Sequence, residues 1–389
     1  MEFFKWRNLK LFLITLVLSF IGVILFHLGG LPIPWLLGPI AAITVYRCFR
    51  SQPMYWPAPL RSSAFIIMGV MLGSSFSLEI LKDLLIHLPA MLISNVLLIG
   101  ISFLFAYFLY QQTDTDFQSS LLGSVPGGLS QVLIMSDELP NINYSIILLM
   151  QITRVLCVVF LVPFLAFSLP REKASEAVHR SAPEGVKSTA ETEFSITLGN
   201  VLSGDVAAIG TLLAYIAAIA FFLWLARRIR LPSPYLIGPI LGMIAMSVTG
   251  LPPIVLPEAF YMYAQLVLGA YTGLQIQPQI LPRLKKLGIY IILYNIVLIG
   301  FGMLLSLGLA WIYDISFHTA FLGTAPGGIA EMGVTATAVH AHLAVVTGYQ
   351  IFRLFFILFL FTAIVKWWQR RIALEQNRVN SNKNLTRKT

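Results

Sequence analysis

Long, almost uncharged apolar runs recur along this chain: Leu11–Phe26, Leu84–Tyr110, Tyr144–Phe167, Val206–Leu225 and Ile289–Trp311. A helix needs about 20 such residues to cross the hydrocarbon core of a bilayer. Only 11% of the residues are charged and 57% are hydrophobic, whereas a soluble domain is about 25% charged. The segments between the runs are short. The sequence therefore reads as an all-α polytopic membrane protein, with the lipid bilayer as its principal partner.

A net charge of +9 does not point to nucleic acid. The basic residues cluster at the ends of apolar runs, where they act as orientation signals for insertion. Cys48 and Cys157 form no CxxC pattern, so neither a disulfide nor a zinc site is expected. The stretch from Lys5 through Lys10 into Leu11–Phe26 imitates a signal peptide. No small-residue cleavage site follows it, and it has a counterpart later in the chain, so it is read as a first spanning helix.

Comparing the chain with itself gives a repeat at an offset of 200. Leu31–Ile40 (LPIPWLLGPI) matches Leu231–Ile240 (LPSPYLIGPI), Gly69 and Gly73 match Gly269 and Gly273, and Asn95 and Gly100 match Asn295 and Gly300. Leu122–Gly128 (LGSVPGG) matches Leu322–Gly328 (LGTAPGG), and Gln151 and Arg154 match Gln350 and Arg353 at an offset of 199. Shared hydrophobicity explains matching Leu and Ile, but not PGG or an arginine inside an apolar run. The expected domains are repeat 1 over 1–169, a polar linker over 170–200, repeat 2 over 201–369 and a basic tail over 370–389. Each half offers six apolar segments. The fifth, Ser119–Ser136 in the first half, carries Gly123, Pro126, Gly127 and Gly128 and cannot be a continuous helix.

Loop charges address the relation between the halves. If the fifth segments, Ser119–Ser136 and His318–His342, enter and leave on one side, each half crosses five times and the second copy is inverted. Leaving out the linker, that puts nineteen basic residues on the inner side and one, Lys82, outside. If all six segments cross, the copies are parallel and the split is 13 to 7. The positive-inside bias favours two inverted repeats, each of about five spanning helices plus one glycine-rich interrupted or re-entrant segment. Both termini are then cytoplasmic. Inverted repeats with broken helices at matching positions point to a secondary transporter with a midplane site.

Arg154 and Arg353 are the only basic residues inside apolar runs, where an arginine costs roughly 2.5–3.5 kcal/mol on insertion scales. They are either a counter-charge for an anionic substrate or a clamp on broken-helix carbonyls. The segments Ser124–Gly128 and Thr324–Gly328 are candidate backbone cradles, through Ser124, Pro126, Gly127 and Gly128 and through Thr324, Pro326, Gly327 and Gly328. A helix restarting after such glycines aims free N–H groups at an anion. Close helix packing is the competing explanation. Three residues on stand Gln131 and Glu331. Glu331 is either a proton or sodium coupling site or an ion-pair partner of Arg353. Gln350 flanks Arg353 and joins the candidate set. Asn95, Asn295 and Gln265 suggest interhelical hydrogen bonds. The histidines show no HExxH spacing and read as loop-end residues, so no metal, cofactor or catalytic residue is expected.

The PWLLGPI, LGSVPGG and LGTAPGG motifs with the downstream Q-x-x-R pair resemble the AbrB-like duplicated integral membrane family over essentially the whole chain. That family shares a name with a small DNA-binding transition-state regulator, which this chain does not resemble. Members often carry the labels of an ammonia monooxygenase or a regulator. The resemblance implies a bacterial inner-membrane protein of transporter type and names no substrate. The layout is also similar, at the level of fold, to citrate and glutamate symporters with paired re-entrant hairpins. Together these features give a secondary transporter for a small, anionic organic solute, coupled to a proton or sodium ion. The alternative is a membrane-embedded ligand sensor without transport. No Walker A motif is present, and a homodimer is left open.

Overall fold

A computed structural model of the chain describes residues 6–50, 54–113, 115–127, 132, 142–169, 206–249, 251, 256–275 and 285–361. The expected linker, the basic tail, Gly128 and Gln131 lie outside the described residues. Among those described, the structure is helical with no strand. In the first half the helices are α1 (Trp6–Leu28), α2 (Pro34–Phe49), α3 (Ala58–Ser74), α4 (Leu78–Gln112), α5 (Phe117–Ser124) and α6 (Tyr144–Ser168). In the second they are α7 (Val206–Arg228), α8 (Pro234–Val248), α9 (Glu258–Gln275), α10 (Lys285–Tyr313), α11 (Phe317–Thr324), α12 (Ile329–Ala338) and α13 (Leu343–Phe355). A π-helical turn, Phe356–Phe361, continues α13. Five helices are long and apolar enough to cross a bilayer: α1, α4, α6, α7 and α10. The protein is membrane-embedded, and its outward faces carry residues such as Leu104, Ile289 and Leu304 that suit lipid.

The LPxPxLxGPI motifs build a scaffold from α1–α3 and α7–α9. Ile33 and Ser233 precede α2 and α8 in left-handed conformation, each at φ 48°, and Pro34 and Pro234 occupy the first turns. A buried, β-branched Ile33 in that region is strained, so the surrounding packing must hold it. Gly38 lets α2 lie directly on α1 at Gly22, and Gly238 lets α8 lie on α7, where a Cβ would come within 2.7 Å of Leu223 Cα. The two halves then cross reciprocally. A Cβ on Gly69 would stand 2.5 Å from Leu236 O, and one on Gly269 would stand 2.5 Å from Leu36 O. Pro239 and Pro39 make the matching second contacts. Lipid tails are as apolar as leucine, so close backbone packing of this kind, rather than hydrophobicity, holds such helices together.

Helices α4–α6 and α10–α13 form the second body. The fifth segment of the second half breaks at Ala325–Gly328 between α11 and α12. Its two ends return to the same place. His342 N, just before α13, donates to Thr319 Oγ1 at the start of α11, at 2.9 Å. In the first half Asn143 N, just before α6, donates to Ser119 Oγ at the start of α5, at 2.7 Å. Each interrupted segment therefore enters and leaves at one end. The two ends are opposite, because α6 connects them: it starts at Asn143, beside α5, and near its far end Ala166 O meets His318 Nε2 of α11 at 3.1 Å. With 25 residues, α6 spans about 37 Å. Two hairpins thus reach into the bundle from opposite ends and bring their tips together.

Two expectations change. Asn95 and Asn295 donate to carbonyls four residues earlier on their own helices, Met91 O and Ile291 O, rather than across helices. A short amide on a helix surface reaches that carbonyl with little strain. His87 is no loop-end residue. It lies buried in α4, stacked 4.2 Å from Tyr313 and 3.1 Å from Tyr349 Oη.

Candidate functional site

A broken helix leaves carbonyls without intrahelical donors, and at membrane depth water cannot supply them. Here the Gln and Arg of the following helix do so in both halves. Gln151 Nε2 lies 3.2 Å from each of Leu122 O, Gly123 O and Val125 O, sharing its two hydrogens. Arg154 donates to Val125 O at 2.7 Å and to Gly127 O at 2.6 Å. In the second half Gln350 Nε2 donates to Leu322 O at 2.7 Å, Ala325 O at 3.1 Å and Gly323 O at 3.3 Å. Arg353 donates to Ala325 O at 2.5 Å, and also to Gly327 O and Gln350 Oε1.

The arginines thus have the geometry of carbonyl clamps, one of the two roles open from sequence. Among the described residues their hydrogen-bond partners are neutral oxygens. Both guanidinium groups also line a cavity of about 460 Å³ between the two hairpin tips. Its floor is backbone at Pro126, Gly127, Pro326, Gly327 and Gly328. Its volume falls within the range of small-molecule sites. At an effective dielectric constant near 20, a unit anion some 4 Å from one such charge gains roughly 4 kcal/mol.

Glu331 stands on the same wall, as the third residue of α12. It does not pair with Arg353, whose two terminal nitrogens are taken up by the oxygens named above. Instead its carboxylate lies beside Gly328, where a Cβ would fall on Oε2. The first hydrogen bond of α12 is Met332 N to Gly328 O, at 2.9 Å. The N–H groups of the three residues before Met332 precede any helical acceptor.

Ser124 and Thr324 turn away from the cavity. Ser124 Oγ donates to Ser102 O at 3.0 Å, and its carbonyl accepts from Tyr294 Oη at 2.8 Å. Thr324 Oγ1 donates to Ala320 O at 3.0 Å and to Gly302 O at 3.2 Å. Both hydroxyls tie the hairpins to neighbouring helices.

The two halves contribute unequally to the cavity wall: Arg230, Ser233, Tyr271, Thr272 and Gln275 of the second half line it, with Phe65 of the first half edge-on to Tyr271. Sequence reasoning missed these residues. The matching positions in the first half are Gly30, Ile33, Met71, Leu72 and Ser75, and none of them lines the cavity. Leu72 is packed onto α12, where a Cβ on Gly333 would stand 2.5 Å from it. Polar residues in one copy opposite mostly apolar residues in the other were the available signal.

The family described as AbrB, "Transition state regulatory protein AbrB", matches residues 35–369. The chain is 26% identical over 372 residues to "Uncharacterized protein YhjN" of Bacillus subtilis (strain 168), covering 91% of this chain and 92% of the relative. It is 26% identical over 367 residues to "Putative regulator AbrB" of Escherichia coli (strain K12), covering 94% and 97%. No solved structure matches.

Proposed function

We propose that this chain, which belongs to the AbrB family, is a secondary transporter moving a small organic anion across the bacterial inner membrane by alternating access. One observation carries the reading. Two buried arginines with neutral partners line a single cavity between two broken-helix tips that enter from opposite ends. Each half has an odd number of crossings if its hairpin does not cross, so the second copy lies inverted in the bilayer. Broken helices at the interface of inverted repeats are the usual construction of a midplane transport site. In an alternating-access cycle this cavity would open to one side of the bilayer at a time.

The scaffold holds the lining residues of α8 and α9, and the hairpin body holds the tips. A shift of one body against the other would close Ser233 and Thr272 over the site and draw Leu72 off α12. The basic residues Arg47 and Arg61 reach Leu274 and Tyr271 near the end of α9, and Arg230 lines the same cavity; the positive-inside rule assigns that end to the cytoplasm. No covalent chemistry is needed, and without a Walker A motif the driving force would be an ion or solute gradient.

A second reading has one support, the word "regulator" in the name of the Escherichia coli relative. A sensor would use the same cavity without flux. The first test is binding by the detergent-purified protein, because a ligand that binds the native state raises the thermal midpoint. Acetate, succinate, citrate and inorganic phosphate would be compared with amines and sugars. At least one carboxylate is expected to raise the midpoint while amines do not. Stabilisation by amines or sugars alone would refute an anion site.

A further inference from the structure

We propose that the Glu331 carboxylate competes with the transported anion for one place, so that the anion binds only as Glu331 takes up a proton. The inference rests on the anion-transport reading above.

The geometry is specific. A Cβ on Gly328 would fall on Glu331 Oε2 and lie 3.4 Å from Oε1, so the carboxylate covers the last residue of the tip, just before α12. Gly328 is otherwise exposed in the cavity, and Glu331 is half-buried on its wall. The Arg353 donors go to Ala325 O, Gly327 O and Gln350 Oε1, leaving Glu331 outside the clamp. The carboxylate therefore lies at the N-terminal turn of α12, whose free N–H groups an incoming anion would use. Two carboxylates cannot both hold charge there.

One proton from the medium adds to the carboxylate and removes its charge. The neutral side chain is then free to leave Gly328, which uncovers the N–H groups and leaves the arginine charges for the ligand. The charged and titratable groups around this carboxylate are Arg353 on α13, Arg154 on α6, Arg230 before α8 and Tyr271 on α9, all lining the cavity. Tyr261 of α9 also reaches α12, donating to Val334 O at 3.1 Å. None of them is a second acid. At the matching position the first half has Gln131, so one proton accompanies each anion.

The test is carboxylate affinity of the detergent-purified full chain at pH 6 and pH 8, for wild type and Glu331→Gln, with succinate, citrate and acetate as probes. Wild-type affinity is expected to rise as pH falls, by up to about tenfold per pH unit, the limit for one linked proton. Glu331→Gln is expected to bind at both pH values with the affinity wild type shows at the lower one. In a second measurement on wild type, which needs no variant to fold, an indicator dye in weak buffer at pH 8 should record about one proton taken up per ligand bound. Equal wild-type affinity at both pH values, or binding that requires sodium, would overturn the proton mechanism and leave the anion site standing. Failure of every carboxylate to bind either protein at either pH would overturn the anion-transport reading as well.

Discussion

Arg154 and Arg353 occupy positions where a bilayer tolerates charge least, and six and five per cent exposure leaves them almost no water. What they gain is a fork that spans two carbonyls of a broken helix. Lysine has its donors on one atom and cannot span them. Arg353→Gln should lower stability in detergent by about 2 kcal/mol, the usual range for stranding buried acceptors, and Arg353→Lys should recover little of it. Thermal unfolding of both variants checks this, and a glutamine variant as stable as wild type would remove the clamp. Gly328→Ala makes a different prediction. The obstacle it meets is the far end of a flexible side chain, so the variant should fold normally while displacing the Glu331 carboxylate. Its succinate affinity at pH 8 should then move toward that of Glu331→Gln. At this scale the sequence disclosed the paired arginines and the PGG tips, because each breaks the apolar background at a repeated offset, and Glu331, because a carboxylate stands there where the first half has Gln131. It could not disclose that Ser124 and Thr324 turn outward to Ser102 and Gly302, since hydroxyls in a break serve a ligand or a neighbouring helix equally well.

Single elements separate glycines that pack from glycines that do not. Gly69 and Gly269 face backbone oxygen across the scaffold crossing, and backbone cannot give way. Gly100 and Gly300, also a repeated pair, have no atom within 4 Å of the place a Cβ would take. Gly69→Ala and Gly269→Ala should each lower the unfolding midpoint, or prevent folding. Gly100→Ala and Gly300→Ala should be neutral or stabilising, by up to about 1 kcal/mol, because alanine is the better helix former. A thermal series over the four variants decides the point, and equal effects would contradict the crossing. The repeat made both pairs visible without distinguishing them, since identity at an offset records recurrence and not contact. The fifth segments were legible as broken, from proline and glycine alone. Their return to the starting end rests on single hydrogen bonds between Ser119 and Asn143 and between Thr319 and His342, which no periodicity encodes.

For the whole molecule, the proposed sidedness rests on the opposed hairpins and the basic loop ends together. Native Cys48 is exposed at the end of α2, on the face assigned to the cytoplasm. In a Cys157→Ser background, a membrane-impermeant thiol reagent should label Cys48 only when the inner face is accessible. In a chain lacking both native cysteines, His340→Cys at the turn of the second hairpin should be labelled from outside. Labelling of both from one side would contradict the inverted arrangement. Loop charges favoured that arrangement in the sequence, but the uneven lining of the cavity was not legible there. It depends on Tyr271, Thr272 and Gln275 standing where the other half has Met71, Leu72 and Ser75, a difference that matters only once the two halves are packed together. The measurement that bears most directly on the account is flux. The purified chain would be reconstituted into proteoliposomes with an inward proton gradient and given the radiolabelled form of whichever carboxylate binds best. The account predicts accumulation above equilibrium in wild type and no gradient-driven accumulation in Glu331→Gln. Tight binding with no movement of label in wild type would contradict transport and make this cavity the site of a sensor.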